Sequence, residues 1–165
     1  MKQIPLTQGM FALVDDSDFE ELSKFKWFAI KGKNAFYAVR QSSRLVGKRH
    51  IILMHRQIMS TPHGMDTDHR DHDGLNNRRS NLRICTHAQN HMNQRKTRGL
   101  SKYKGVYWHK INKKWLSHIK QNGKKINLGY FESEFDAANA YDMAAEKLFG
   151  EFAYTNFKTR GVLFD

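Results

Sequence analysis

Residues 102–157 restrict the choice of fold more than any other part of the chain. Three runs there alternate apolar with polar residues: KGVYWHK from Lys104, KWLSHIKQ from Lys114 and KKINLGYF from Lys124. A period of two is the mark of a half-buried strand. Asn122-Gly123 joins the second run to the third and is a strong hairpin signal, because both residues tolerate positive φ. After the third run, Ser133 with Asp136 forms a helix-capping pattern, and Gly150 can end that helix. Phe135, Ala138, Tyr141, Ala145 and Leu148 fall at helical spacing between these ends. The segment predicts a three-stranded antiparallel sheet packed on one helix. Alternation directs Val106, Trp108, Trp115, Ser117, Ile119, Ile126 and Leu128 toward the helix. Lys104, Tyr107, His109, Lys114, His118, Lys120, Lys125 and Asn127 are left on a polar, basic outer face.

Charge shows what that face can meet. The chain of 165 residues has a formal charge of +12, and the excess is concentrated. From Gly74 to Phe131 there are 58 residues with no Asp or Glu and 14 Lys or Arg. A face kept soluble by charge normally mixes both signs. A long acid-free block suits a surface lying along a phosphate backbone, so the expected partner is double-stranded DNA. Cys85 is the only cysteine, which rules out an intramolecular disulfide and a cysteine-based zinc site. No apolar run reaches the length of a membrane span, and MKQIPLTQGM lacks the apolar core of a secretory signal. A cytoplasmic location is expected, with no membrane and no obligate protein partner.

The remainder completes an α+β plan. Residues 1–60 read as a small mixed β-rich module. Its strands are MFALV (10–14), KWFAI (26–30), AFYAVRQ (35–41) and HIILMH (50–55), and Ser17 to Glu20 forms a capping box for a short helix ending near Lys24. Trp27, Phe36 and Tyr37 are expected in its core. Pro62 marks a break after the helix-like MHRQIMS. Residues 61–94 form a distinct element. Residues 95–101 read as a basic linker containing Arg95, Lys96 and Arg98, and 158–165 as a tail.

The central element carries the chemistry. Asp68-His69 precedes a turn at Asp73-Gly74, Leu82 to Thr86 reads as a second strand, and Thr86 with Gln89 caps a helix through Asn90. The layout is strand, loop, strand, helix. Asp68-His69, the run Gly74-Leu-Asn-Asn-Arg-Arg79, Asn81-Leu-Arg83 and Gln89-Asn90 together resemble the HNH nuclease family and its ββα-metal fold. By that resemblance His69 is the first His of the signature and Asn81 its central Asn. Asn90 stands where a final His often stands, which is similar to the His-Asn-Asn subgroup of phage and intron-associated homing endonucleases.

Side-chain chemistry assigns the expected roles. Neutral His69 can act as general base, and Asn81 can orient it by a hydrogen bond. Asp68 and Asn90 offer oxygen ligands to a hard divalent ion, Mg²⁺ or also Mn²⁺. Arg78, Arg79 and Arg83 are placed to hold flanking phosphates. Asp71 and Asp73 are expected to shape the turn, and His55 to pack. His91 or Asn93 can take the place of Asn90 as final ligand, and the neighbouring His72 and His87 receive no role.

The last segment is similar to the Apetala-type (ethylene-response-factor) DNA-binding domain. The resemblance rests on Tyr103-Lys-Gly-Val106, Trp115 to Lys120, Leu128-Gly-Tyr-Phe131, Ala137-Ala138, Ala140-Tyr-Asp142, Ala144-Ala145, Gly150 and Asn156-Phe157. It implies that the sheet enters the major groove. Several groove-facing positions that are Arg or Trp in the plant regulators are Tyr107, His109, His118 and Asn127 here. That shift implies fewer bidentate guanine contacts and more phosphate or shape readout. The combined expectation is a phage or mobile-element homing endonuclease that nicks or cleaves DNA. Its rivals are a DNA-binding regulator with an inactive HNH element and a weakly specific HNH nuclease of defence or packaging.

Overall fold

A computed structural model describes residues 1–42, 50–95 and 99–157. Lys96, Arg98 and the expected tail at 158–165 lie outside the described residues. The chain forms two compact units, residues 1–90 and 91–165. Among the described residues, no helix is long and apolar enough to cross a membrane.

The first unit is built on a five-stranded sheet. Its strands are β1 (Lys2–Thr7), β2 (Phe11–Val14), β3 (Trp27–Lys31), β4 (Phe36–Gln41) and β5 (Ile51–Leu53), in the order β2-β1-β3-β4-β5. Helix α1 (Asp16–Ser23) follows β2, and α2 (Met54–Met59) follows β5. A separate hairpin, β6 (Asp66–His69) with β7 (Leu82–Cys85), leads into α3 (His87–Met92).

Strand β1 lies outside the strands expected from the sequence and contains Pro5, a residue disfavoured in a strand with neighbours on both sides. The register resolves the conflict. Residues Lys2 to Pro5 pair with β2, whereas pairing with β3 starts only at Leu6. Proline therefore sits where the strand changes partner.

The capping box expected at Ser17 does not form. Helix α1 starts at Asp16, with Asp15 as its N-cap and no side-chain capping bond. The Asp15 carboxylate accepts the Arg79 backbone N–H at 2.8 Å instead. The box expected at Thr86 does form, reciprocally: Gln89 N–H donates to Thr86 Oγ1 at 3.2 Å and Thr86 N–H to Gln89 Oε1 at 2.8 Å.

Residue 60 is not a boundary between compact units. Leu82 of β7 is buried in one apolar cluster with Ile4, Val14, Trp27, Ala38, Met54 and Ile58, and Leu75 packs against it. The loop between β6 and β7 also runs along β2. Leu13 N–H donates to Leu75 O, and Asn77 N–H donates to Leu13 O, both at 2.8 Å. The N-terminal sheet is thus the platform on which the central hairpin rests. Gly74 shows how close the approach is, since a Cβ there would collide with Phe36 O and the Tyr37 ring.

The second unit contains β8 (Val106–His109), β9 (Lys114–Gln121) and β10 (Lys124–Phe131), antiparallel in the order β10-β9-β8, and α4 (Glu134–Phe149). Ser133 caps α4 by accepting from Phe135 N–H and Asp136 N–H, and Gly150 ends it. Val106, Ser117 and Ile119 are buried beneath Ala137, Ala138, Tyr141 and Ala145, as the sheet-on-helix reading requires. Phe135 differs: it is 53% exposed, and its ring meets Phe157 at 4.7 Å. Asp142 ties the segment after α4 to the domain by accepting from the N–H groups of Asn156 and Phe157, at 2.8 and 2.9 Å. Asn156 in turn clamps Lys104, accepting its backbone N–H at 2.6 Å.

Gly105 enters β8 at φ +79°, and a Cβ there would overlap the Tyr141 ring. Gly105→Ala combines a left-handed backbone penalty of about 1–2 kcal/mol with overpacking of about 1–3 kcal/mol. The expected result is a second unit destabilised by about 2–5 kcal/mol, read as a lowered urea midpoint. An unchanged midpoint would show that Tyr141 yields freely.

Candidate functional site

The β6–β7 hairpin sets Asp66 opposite Cys85, Asp68 opposite Arg83 and His69 opposite Leu82. Asp66 and Asp68, two residues apart on one strand, project to the same face. Helix α3 brings Asn90 back to this strand, where its Nδ2 donates to Asp66 Oδ2 at 3.0 Å. His87 Nδ1 lies 3.0 Å from the same oxygen. The Asn90 bond is the main reason that the Asp66 pKa lies below the usual carboxylate range.

His69 ends β6 and is 6% exposed. Its ring lies 4.9 Å from that of His55 and 5.9 Å from that of Tyr37. Its Nε2 is 3.4 Å from Asn77 Oδ1. Burial pushes the His69 pKa down, opposed by the Asn77 bond and by the nearby Asp71, Asp68 and Asp73. The imidazole is therefore held neutral, the form that can accept a proton.

The asparagine expected to orient His69 is engaged elsewhere. Asn81 Nδ2 donates to Asp71 Oδ1 at 2.9 Å and to Asn76 O at 2.8 Å, and its Oδ1 accepts Asp71 N–H at 3.1 Å. Asn81 staples the loop, and Asn77 faces the imidazole. Asn77 is fully buried and held by its backbone bond to β2. Its signal lay in the Gly-Leu-Asn-Asn-Arg-Arg run, but residue type alone cannot say which asparagine turns inward. Asp71 and Asp73 shape the turn as expected: Asp73 N–H donates to Asp71 Oδ1 and Leu75 N–H to Asp73 Oδ1, at 2.8 and 3.0 Å.

The arginines of this element also differ from expectation. Arg83 is buried, and its Nε and Nη2 donate to Asp68 Oδ2 at 2.9 and 2.6 Å. It is an internal partner of Asp68, not an exposed phosphate clamp. Arg79 grips Asp18 through Nε at 2.9 Å and Nη2 at 2.7 Å. Arg78 Nε donates to Asn76 Oδ1 at 2.8 Å. Their pairing follows from the fold, which lays the loop across the acidic start of α1.

Among the described residues, no group of three or more His, Cys, Asp and Glu is arranged to hold a metal ion. The oxygen-bearing side chains on this hairpin and its helix are Asp66, joined to Asn90 Nδ2, and Asp68, whose Oδ2 accepts from Arg83. Carboxylate and amide oxygens fit a hard divalent cation and not a thiolate-seeking one.

His55 Nδ1 is buried and has no hydrogen-bond partner among the described residues. Burial, with nearby His69 and Arg56, lowers the His55 pKa to about 3. In the unfolded chain His55 titrates near pH 6.5. Its neutral burial therefore contributes fully above pH 6.5, and the contribution declines as pH falls toward 3. The loss is about 1.4 kcal/mol per pH unit, or roughly 2.7 kcal/mol at pH 4.5. Urea midpoints at pH 7 and 4.5 should differ less in His55→Phe than in the parent chain. Equal differences would remove His55 as the cause.

In the second unit, Tyr107, Lys120, Lys125 and Asn127 are exposed on the sheet face away from α4. His109, Lys114 and His118 share that face and are half-buried. Tyr107 stacks on His118 at 4.5 Å and 18°. Lys114 pairs with Glu132 at 2.9 Å on the surface. Lys104, expected on the same face, is engaged elsewhere. It precedes β8, and its Nζ donates to Met92 O at 2.5 Å and lies 5.3 Å from the Tyr154 ring. Burial lowers its pKa to about 8. Its ammonium serves the domain interior. Arg95 is exposed.

Tyr130 was missed. The register slips between Asn127 and Gly129, so Leu128 is the extra residue of a bulge, and Gly129 N–H donates to Asn127 Oδ1 at 2.9 Å. Straight alternation would turn Tyr130 toward the helix. The bulge pairs it with Leu116 on the outer face, where its ring meets His109 at 5.1 Å. Glycine inside a strand run was the available signal.

Comparison with known proteins accords with this geometry. Residues 49–92 match the HNH endonuclease family model, and residues 101–151 match the AP2 domain model. Over 152 residues the chain is 33% identical to an HNH endonuclease of Acanthamoeba polyphaga mimivirus that is itself described as uncharacterized, covering 90% of this chain and 76% of that one. The chain belongs to the HNH endonuclease family. This HNH endonuclease carries its AP2 domain in the second unit. There it is 43% identical over 63 residues to an ethylene-responsive transcription factor of Arabidopsis thaliana and 48% identical over 63 residues to an APETALA2-like protein of Oryza sativa subsp. indica. These matches cover 37% of this chain but only 15% and 14% of the plant proteins, so that likeness concerns the one domain. HNH and AP2 domains together mark a DNA-binding nuclease, and HNH nucleases generally use a divalent metal.

Proposed function

We propose that this HNH endonuclease nicks or cleaves double-stranded DNA in the manner of a homing enzyme, with His69 as general base. The observation that carries the reading is a buried, neutral imidazole on the strand that also holds Asp66 and Asp68, with Asn90 bonded to the first of them. His69 accepts a proton from water as the water oxygen bonds to phosphorus. The bond from phosphorus to the leaving oxygen breaks, and that oxygen is protonated from solvent. Asn77 and the walls of Tyr37 and His55 hold the ring, while Asn81 keeps the loop closed on Asp71. Asp68 and Asn90, with Asp66 beside them, would hold a hard divalent ion such as Mg²⁺ or Mn²⁺, which supplies charge neutralisation at the phosphate and the leaving oxygen. The outer face of the sheet, from Tyr107, His109, Lys114, His118, Lys120, Lys125, Asn127 and Tyr130, holds the duplex, with Arg95, Lys96 and Arg98 adding phosphate contacts.

The test is incubation of the purified chain with plasmid and phage DNA and Mg²⁺, followed by mapping of strand ends. The expected result is ends recurring at one site, and their loss in excess chelator. Full cleavage in chelator would remove the metal role, and ends scattered over the DNA would remove the homing role. The burial of Asp68 against Arg83 favours a second reading, a DNA-binding regulator whose HNH element does not cut. Retained duplex binding with no broken ends under any divalent ion would select it.

A further inference from the structure

Tyr37 is the single tyrosine of the first unit, and the other five lie in the second. It stands on β4, paired with Ile30 of β3. Two glycines leave room for its ring. A Cβ on Gly32, between β3 and β4, would come within 2.7 Å of Tyr37 Cε2. A Cβ on Gly74, in the loop between β6 and β7, would come within 2.7 Å of Cδ1 and Cε1, on the opposite edge. Neither glycine has a positive φ, so space for the ring, not backbone conformation, favours glycine at both places.

The same ring stands beside the chemistry. Its centre lies 5.9 Å from that of His69 and 5.7 Å from that of His55. It is half-buried, and its hydroxyl has no hydrogen-bond partner among the described residues. A phenol sunk into a protein normally finds one. Burial, with the Asp68 charge nearby, pushes the Tyr37 pKa up, so the group remains a donor. The loop's own arginines, Arg78, Arg79 and Arg83, are already engaged with Asn76, Asp18 and Asp68. Displacement at phosphorus gathers negative charge on the non-bridging oxygens, and a donor fixed there beforehand lowers the barrier.

We propose that the Tyr37 hydroxyl donates a hydrogen bond to a non-bridging oxygen of the DNA phosphate set against His69. The grip of the two glycines fixes where the hydroxyl points, so the donor is in place before the strand arrives. The proposal rests on the nuclease reading for the role of His69, and its test has an arm that needs no cleavage.

Tyr37→Phe removes the hydroxyl and keeps the ring. In Mg²⁺ the full-length variant is expected to cut plasmid DNA about 10²-fold more slowly than the parent chain, with an unchanged urea midpoint and unchanged duplex affinity. An unchanged rate overturns the proposal. So does a loss of affinity or stability as large as the loss of rate, which would leave the ring as a wall of the site and nothing more. The second arm uses the parent chain with fluorotyrosine in place of tyrosine, without metal. Its first-unit fluorine resonance is identified by its absence in Tyr37→Phe. That resonance should move when a short duplex is added, and should move less when the duplex carries uncharged methylphosphonates. A resonance that stays, or that moves equally with both duplexes, overturns the phosphate contact. If the parent chain cuts no strand under any divalent ion, the cleavage reading fails and this arm alone decides the contact.

Discussion

His69→Ala is expected to lower the rate of strand cleavage by about 10³-fold, within the range that a positioned general base supplies. Duplex affinity should stay within about twofold, because the AP2 sheet lies in the other compact unit. The pH profile gives a second check. Burial holds the His69 pKa below its ordinary 6.5, so the ring remains neutral as pH falls past that value. The midpoint of the acid limb of the cleavage rate should therefore lie below pH 6.5, and activity at pH 6.5 should exceed half of its plateau. Equal loss of cleavage and binding in His69→Ala would identify the ring as part of the core alone. An acid limb well above pH 6.5 would exclude a buried neutral imidazole as the base.

Arg83→Ala should be the most destabilising single change in the first unit. Both side chains of the Asp68–Arg83 pair are 7% exposed, and two donor atoms converge on one carboxylate oxygen. Removal of the arginine leaves a carboxylate buried without its countercharge, which costs about 3–5 kcal/mol. Arg83→Lys keeps the charge but loses the fork, so it should recover only part of the loss. The double variant Asp68→Asn, Arg83→Leu removes both charges and should be more stable than Arg83→Ala. Urea denaturation of the three proteins decides the matter. If Arg83→Ala costs less than about 1 kcal/mol, the pair behaves as a surface ion pair. The same series separates stability from function, because the double variant also removes the Asp68 carboxylate and should cut poorly even where it folds well.

These residues show where sequence reasoning reaches its limit. The reciprocal bonds of Thr86 with Gln89 and the Ser133 cap were readable because donor and acceptor lie three residues apart or fewer. The Ser17 box failed for a long-range reason: Asp15, the residue that became the N-cap, is bound by a loop residue 64 positions away. Arg83 looked like a phosphate ligand because nothing local shows that it is paired with Asp68 across the hairpin. Tyr130 was not expected on the outer face because one extra residue in a strand reverses the direction of every later side chain.

By itself, the sequence determined the element types of the second unit, the strand-loop-strand-helix order of residues 66–92, and the acid-free block from Gly74 to Phe131. Those properties arise from periodicity, turn chemistry and net charge, all of which act over a few residues or depend on none in particular. The tertiary structure alone decided that Asn77 and not Asn81 meets His69, that Arg83 and Lys104 turn inward, and that the N-terminal sheet and the hairpin form one unit. Each of these depends on which distant chain segments come within hydrogen-bond or van der Waals reach. That is settled only when burial of the shared core brings β2, β4 and the hairpin together.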